Sequence, residues 1–317
     1  MSSIGGYFGL EINDGNEYHQ DAIRLNTARN AFEYILISKK YNKVYIPFYS
    51  CDVLLEPLKK LKVGFDYYPI DDNLEPLFDF TKIKIDEGFL YINYFGVKEE
   101  YILNLIKKSR NIIVDNAQAF YSKPLKDIDT FYSPRKYFGV PDGGYLYTNT
   151  SINIELDQAV SYDKFGHLLR RIDVGPEKGY KYFVENDNSL RGLPILRMSN
   201  ITLKLLRSFD YRRIADKRRK NFEYIHEKLK YLNKLNISIT GGIIPLAYPF
   251  HTDDNDLRKK LISNHIYVPQ YWPNVMDWVS PNSIEFGLTN CLVPLPIDQR
   301  ISIEDIDRMI EFVVNGD

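Results

Sequence analysis

Apolar positions along this chain follow two rhythms, and their alternation predicts the architecture. Ala28, Ala31, Phe32, Ile35 and Leu36 fall on one face of a helix, with Asn26 or Thr27 as its N-cap. Shorter runs then read as strands at Val44 to Phe48, Phe65 to Tyr68 and Phe89 to Asn93. Between and after them come helical patterns over Asp52 to Lys60 and Glu99 to Lys108, and a turn at Asp71-Asp72-Asn73. Such alternation predicts right-handed βαβ units: an α/β fold whose sheet is mainly parallel, with helices on both faces. The run Ile112-Ile113-Val114 suits a strand buried on both faces and ends in Asp115. Open α/β sheets bind ligands at the carboxyl ends of such strands, so Asp115 is expected to point into a site.

The remaining segments are less regular. Residues 1–20 carry glycines and polar groups without periodicity. After a strand-like run from Tyr145 to Thr148, the stretch Ser161 to Arg197 reads as loops around short helices, suited to a lid or a subunit contact. A long helix is expected from about Thr202 to Leu232, its basic run Arg212-Arg213 and Lys217 to Lys220 being a solvated face. The tail reads as a strand at Pro245 to Tyr248, a helix over Asp256 to Asn264, a strand at Tyr267-Val268 and a final helix from Ser302, which forms a start box with Asp305. This predicts a large domain over 1–210 and a small C-terminal α+β domain over 211–317.

Composition narrows the class. The chain has 317 residues and a formal net charge of -1, so no field draws nucleic acid or an acidic membrane surface. Cys51 and Cys291 stand alone and suggest neither a disulfide framework nor a zinc site. The five histidines lack metal-ligand spacing. No signal peptide and no bilayer-length apolar run is visible, so a soluble cytoplasmic protein is expected. The 25 tyrosines point to core and interface packing.

Candidate chemistry gathers between Ile112 and Thr148. A carboxylate at a strand end (Asp115), Ser133, Lys136 and the pair Gly143-Gly144 can together hold an anionic, nitrogenous cofactor. The amides that open the helix at Ala28 can hold a phosphate. Taken singly, each group has a plainer reading: Asp115 and Ser133 as turn residues, Lys136 as a surface lysine, Cys51 as a buried apolar thiol.

Their order and spacing resemble the DegT/DnrJ/EryC1/StrS family of sugar aminotransferases. The resemblance rests on Asp115-x-x-Gln118, Ser133, Lys136, Asp142-Gly143-Gly144, the upstream Leu25-Asn26-Thr27-Ala28-Arg29, and the tail elements Ile266-Tyr267-Val268-Pro269 and Leu295-Pro296-Ile297-Asp298. It covers nearly the whole chain. It implies a fold-type I enzyme with an aspartate aminotransferase-like large domain around a seven-stranded sheet, and pyridoxal 5'-phosphate as cofactor. Lys136 would hold the cofactor covalently and carry the proton, with Asp115 at the ring nitrogen. Gln118 would lie against the ring or its phenolic oxygen. Thr27, Ser133 and the amides of Ala28 and Arg29 would hold the phosphate, and Tyr49, Ser50 or Cys51 would stack on the ring.

The implied reaction transfers an amino group, glutamate being the expected donor, to a keto-sugar, expected to be nucleotide-linked, in surface polysaccharide or amino-sugar biosynthesis. The implied unit is a homodimer with shared sites, to which Arg197 contributes across subunits. Two departures stand out. Ile195 occupies the place of a cross-subunit asparagine, and Ser133 sits close to Lys136, so Thr130 is a second candidate for its role. The alternatives are another pyridoxal-phosphate reaction on a sugar, or a non-catalytic homologue that binds a sugar nucleotide and regulates.

Overall fold

The computed structural model describes residues 4–237 and 242–315. A seven-stranded sheet carries the first half of the chain: β1 (Ile23–Leu25), β2 (Lys43–Pro47), β3 (Gly64–Tyr68), β4 (Glu87–Ile92), β5 (Ile112–Asn116), β6 (Asp129–Tyr132) and β7 (Gly144–Tyr147), in the order β1-β7-β6-β5-β4-β2-β3. The β2–β3, β2–β4, β4–β5 and β5–β6 pairs are parallel, whereas β7 runs antiparallel to both β6 and β1. The expected mainly parallel α/β sheet is therefore present, with one reversed strand.

This topology has a direct consequence for chemistry. The chain leaves β2, β4, β5, β6 and β1 on one rim, and it enters reversed β7 from that same rim. Segments 48–51, 93–96, 115–118, 133–136, 26–29 and 142–144 therefore meet along one edge of the sheet.

Both faces of the sheet are covered. Every residue of β4 and β5 is buried. Side chains alternate across a strand, and β6 shows where they go. Phe131 stacks on Phe32 of α1 (Ala28–Lys39) at 5.8 Å, and α2 (Leu55–Leu61) and α3 (Glu99–Leu105) connect later strands of the sheet. Its neighbour Tyr132 belongs to a second cluster with Tyr145, Phe120, Leu206 and Ile214. Tyrosine is frequent because buried rings of this kind also tie down loops. The hydroxyls of Tyr68, Tyr91, Tyr94, Tyr132 and Tyr137 donate to the backbone carbonyls of Leu90, Leu74, Tyr49, Ser122 and Gln118, at 2.7 to 3.0 Å. A phenol can be buried without penalty only when its O–H is satisfied in this way.

Beyond β7 several expectations are corrected. The stretch from Ser161 to Arg197 contains a helical hairpin, α4 (Gly166–Val174) and α5 (Pro176–Ser189), rather than loops around short helices. Gly175, at φ 90°, makes the corner, and Pro176 starts the second helix. The single helix expected over 202–232 is two: α6 (Asn200–Ser208) and α7 (Tyr211–Leu229). Phe209 is extended and stacks on Phe138 at 4.9 Å, and Asp210 caps the new helix by accepting the amide of Arg213 at 3.0 Å.

Nor is the basic run on α7 wholly solvated. Arg218 is fully buried and donates to Gln299 Oε1 and to the carbonyls of Pro245, Leu246 and Tyr137. In the tail the small sheet pairs β8 (Tyr248–His251) with β9 (Leu292–Leu295), and no strand forms at Tyr267-Val268. A two-residue apolar run cannot distinguish a strand from a buried loop. Helices α8 (Leu257–Ser263), α9 (Ile284–Cys291) and α10 (Ile303–Asn315) complete the region. The start box of the last helix is formed, with Ser302 and Asp305 exchanging two hydrogen bonds at 2.8 and 3.1 Å. Among the described residues, no helix is long and apolar enough to cross a membrane.

One joint holds the start of α1 to the sheet. The Gly143 amide donates to Asn26 O at 2.6 Å, and a Cβ on Gly144 would meet the backbone of Thr27 and Ala28 at 2.4 to 2.6 Å. Gly144→Ala should therefore force backbone apart and destabilise the protein by about 1–3 kcal/mol. Urea unfolding checks this, and an unchanged midpoint would contradict the packing described.

Candidate active site

The buried end of the rim is acidic. Asp115 ends the apolar run of β5 and is 7 % exposed. It accepts the Ala117 amide at 2.7 Å. No lysine, arginine or histidine lies within 4 Å of its carboxylate among the described residues. Burial therefore pushes its pKa up to about 7, against smaller opposing effects from the Ala117 amide and the Lys136 charge. Beside it Gln118 is fixed at both ends of its residue: Oε1 accepts the Phe95 amide at 2.8 Å and its carbonyl accepts the Tyr137 hydroxyl at 2.8 Å. Its Nε2 is buried and has no partner.

Lys136 stands at the end of a 3₁₀ turn, Pro134–Lys136, that follows β6. Ser133 precedes the turn, partly exposed, and its carbonyl accepts the Lys136 amide at 3.2 Å. The ammonium is exposed and, among the described residues, has no ion pair or hydrogen bond. It lies 5.4 Å from the ring centre of Tyr271, and its charge reaches both Asp115 and Cys51. The turn itself is braced: the Tyr137 carbonyl takes Arg218 and Gln299 Nε2, the latter at 3.0 Å, and Arg135 pairs with Asp187 at 3.1 Å.

The third element is the start of α1. Thr27 caps the helix by accepting the Asn30 amide at 3.0 Å and donates its own proton to Asn30 Oδ1 at 2.6 Å. Its hydroxyl is thereby engaged, its backbone is bridged to Gly143, and the positive end of the helix lies beside the glycine turn. The Gly143-Gly144 turn packs against this end, and a Cβ on Gly143 would meet Pro134 at 3.0 Å. The helix start, the glycine turn and the lysine turn therefore adjoin. Asp142 anchors the glycine turn on α6, accepting the hydroxyls of Ser199 and Thr202.

The other expected residues fall as follows. Tyr49 is fully buried between Tyr94 and Trp272, with its hydroxyl unpaired. Ser50 is also fully buried, and its hydroxyl donates to Pro47 O at 2.7 Å. Cys51 is only partly covered, next to Asp52, and it is the member of the trio whose thiol responds to the Lys136 charge. Thr130 points elsewhere, donating to Ile128 O at 3.1 Å. Arg197 is exposed and lies apart from this cluster, beside β1, in an open pocket with Arg24, Glu155 and Gln158. Tyr271 and the Arg135–Asp187 pair were not anticipated, because each comes to the site through a tertiary contact that leaves no local pattern.

A buried carboxyl without a cationic partner, an exposed amine and the start of a helix are thus arranged around one rim. No protein-family model matches the chain, and no curated protein matches its sequence. Solved structures do. NtdA from Bacillus subtilis, solved with the cofactor PMP, superposes with a TM-score of 0.65 at 14% identity, covering 93% of this chain and 72% of that one. DesV from S. venezuelae, solved in complex with a ketimine intermediate, gives 0.62 at 14% identity, covering 93% and 84%. A DegT DnrJ EryC1 StrS aminotransferase from Brucella abortus gives 0.59 at 15% identity, covering 93% and 85%.

The fold is that of the sugar aminotransferases. Within that fold-type I arrangement the seven-stranded sheet described above is the large-domain sheet.

The buried acid makes a prediction of its own. Between about pH 4 and pH 7 the unfolded chain has released the Asp115 proton while the folded, ligand-free protein keeps it. This group therefore subtracts stability as pH rises through that window. Asp115→Asn should gain stability relative to the ligand-free parent from pH 4.5 to pH 7.5, measured by denaturant unfolding. A difference independent of pH would contradict the assignment.

Proposed function

We propose that the chain is a pyridoxal-phosphate-dependent aminotransferase that moves an amino group from an amino acid, glutamate by expectation, to a nucleotide-linked keto-sugar. The observation that carries this reading is the buried Asp115 carboxyl, facing the same rim as an unpaired Lys136 and the open end of α1. The residues fit the cofactor on their own evidence. Asp115 lacks the cation that its burial calls for, Gln118 Nε2 lacks an acceptor, and the positive end of α1 lies at the same rim. When bound, pyridoxal phosphate supplies the electron sink that makes the bond to hydrogen on the substrate carbon labile.

The chain's own groups then have distinct tasks. Asp115, ionised by a cation at the ring nitrogen, keeps that nitrogen protonated. Lys136 would hold the cofactor covalently and would carry the proton at the substrate carbon. Gln118 orients the ring, and Ser133 with the helix start holds the phosphate. Of Tyr49, Ser50 and Cys51, the geometry favours Cys51 against the ring, since the other two are buried behind it. Residues 1–210 form the cofactor-binding part and 211–317 the smaller part.

We further propose a homodimer in which Arg197 serves the partner's site. Arg197 is exposed and, among the described residues, its side chain has no ion pair. The hairpin α4–α5 also presents Ile172 and Tyr180 to solvent at 82 % and 66 % exposure. Unpaired arginine and uncovered aromatic and aliphatic side chains are what an interface uses, and a two-fold contact brings the same patch to both sites.

Two experiments test these readings. Purified protein is screened with keto-sugar nucleotides and glutamate, with the amino-sugar product read by mass. Lys136→Ala should abolish product while unfolding as the parent does, and product formed by that variant would defeat the proposal. Mixed, exchanged subunits of Lys136→Ala and Arg197→Ala should recover activity from one intact site per heterodimer. No recovery after proven exchange would refute shared sites.

A further inference from the structure

Arg29 has a buried donor with nothing to donate to. It is the second residue of α1, a helix of 12 residues, and its side chain is 10 % exposed. One arm of the guanidinium is fixed: Nη1 donates to Leu190 O at 2.9 Å and lies 2.9 Å from Glu56 Oε2. Glu56 is in turn held by the Gly192 amide at 2.6 Å. The Nε–H, by contrast, is buried without a partner.

Arg29 follows Ala28 at the start of α1, and helical side chains lean toward the N-terminus of their helix, so its guanidinium belongs to the first turn, at the positive end of the helix. Its partner Glu56, and Asp52, which pairs with Arg191, both belong to the segment that follows Cys51 on the rim of the site. Two further guanidinium groups stand nearby, Arg191 paired with Asp52 and Arg135 paired with Asp187. Burial and the Arg191 charge both weigh against the charged form of Arg29, so an added anion here is favoured. Ile195, where the resemblance places a donor from the neighbouring subunit, is aliphatic and packs on the main core. Its side chain has no donor for a phosphate.

We propose that the Arg29 Nε–H, together with the positive end of α1, binds a phosphate monoester dianion, and that this contact holds the cofactor's phosphate from within one subunit in place of a donor at position 195. The proposal rests on the cofactor reading above. A guanidinium N–H on a phosphate oxygen is a charge-assisted hydrogen bond, and Arg29 is held in place for it by Leu190 and Glu56 before any ligand arrives.

The test compares ligand-free parent, Arg29→Lys and Arg29→Met for binding of pyridoxal phosphate and of pyridoxal, which lacks the phosphate, by quenching of protein fluorescence. Inorganic phosphate is titrated separately, followed by its effect on thermal unfolding. The parent should bind pyridoxal phosphate far better than pyridoxal and be stabilised by inorganic phosphate. Both variants should lose about tenfold or more of affinity for pyridoxal phosphate with pyridoxal little changed, and lose the phosphate stabilisation. Arg29→Lys keeps a cation opposite Glu56, so it gives the readout even if Arg29→Met folds poorly. If the parent binds and both variants keep its preference for the phosphorylated ligand, the role of Arg29 is overturned and the cofactor reading stands. If the parent binds neither pyridoxal compound, both are overturned.

Discussion

The site depends on a joint of backbone against backbone, where α1 begins on the Gly143-Gly144 turn. There is no room for a single methyl group between Gly144 and the peptide of Thr27 and Ala28. That closeness brings the positive end of a helix beside the entry to the reversed strand β7. From there it adjoins Pro134 and the turn that carries Lys136. Parallel strands deliver Asp115, Gln118 and Cys51 to the same rim from the other side. The reversed strand is what lets a glycine turn, rather than a long crossover, close the pocket against the helix.

Electrostatics follows from this placement. Asp115 sits at the closed end, where burial opposes its charge, and Lys136 sits at the open end, where solvent supports its own. The three arginines Arg29, Arg135 and Arg191 are each paired with an acid, Glu56, Asp187 and Asp52. The end of α5 and the segment after it supply Asp187, Leu190 and Arg191, and so strap the helix start from outside. The proposed cofactor, with positive charge at one end and a dianion at the other, matches this distribution of charge.

Much of this was legible in the chain where local chemistry dictates local structure. Ile112-Ile113-Val114-Asp115 announces a buried strand ending in a site, Thr27 announces a helix start, and Ser302 with Asp305 announces another. What was not legible depends on contacts between distant segments. β6 is four residues long with a polar first half, too short to show a period. The break at Phe209 exists because its ring has a place on Phe138. Arg218 looks like one charge in a basic run and is instead the buried brace of the lysine turn. Tyr271 reaches Lys136 through a fold contact that no spacing encodes.

The account stands or falls on Lys136 as the residue that carries the cofactor. Protein reconstituted with pyridoxal phosphate is reduced with borohydride, digested and sequenced by mass. The account predicts a phosphopyridoxyl group on the peptide bearing Lys136, lost in Lys136→Ala, with no comparable labelling of other lysines. A label spread over surface lysines, or carried by another residue in the Lys136→Ala protein, would contradict it.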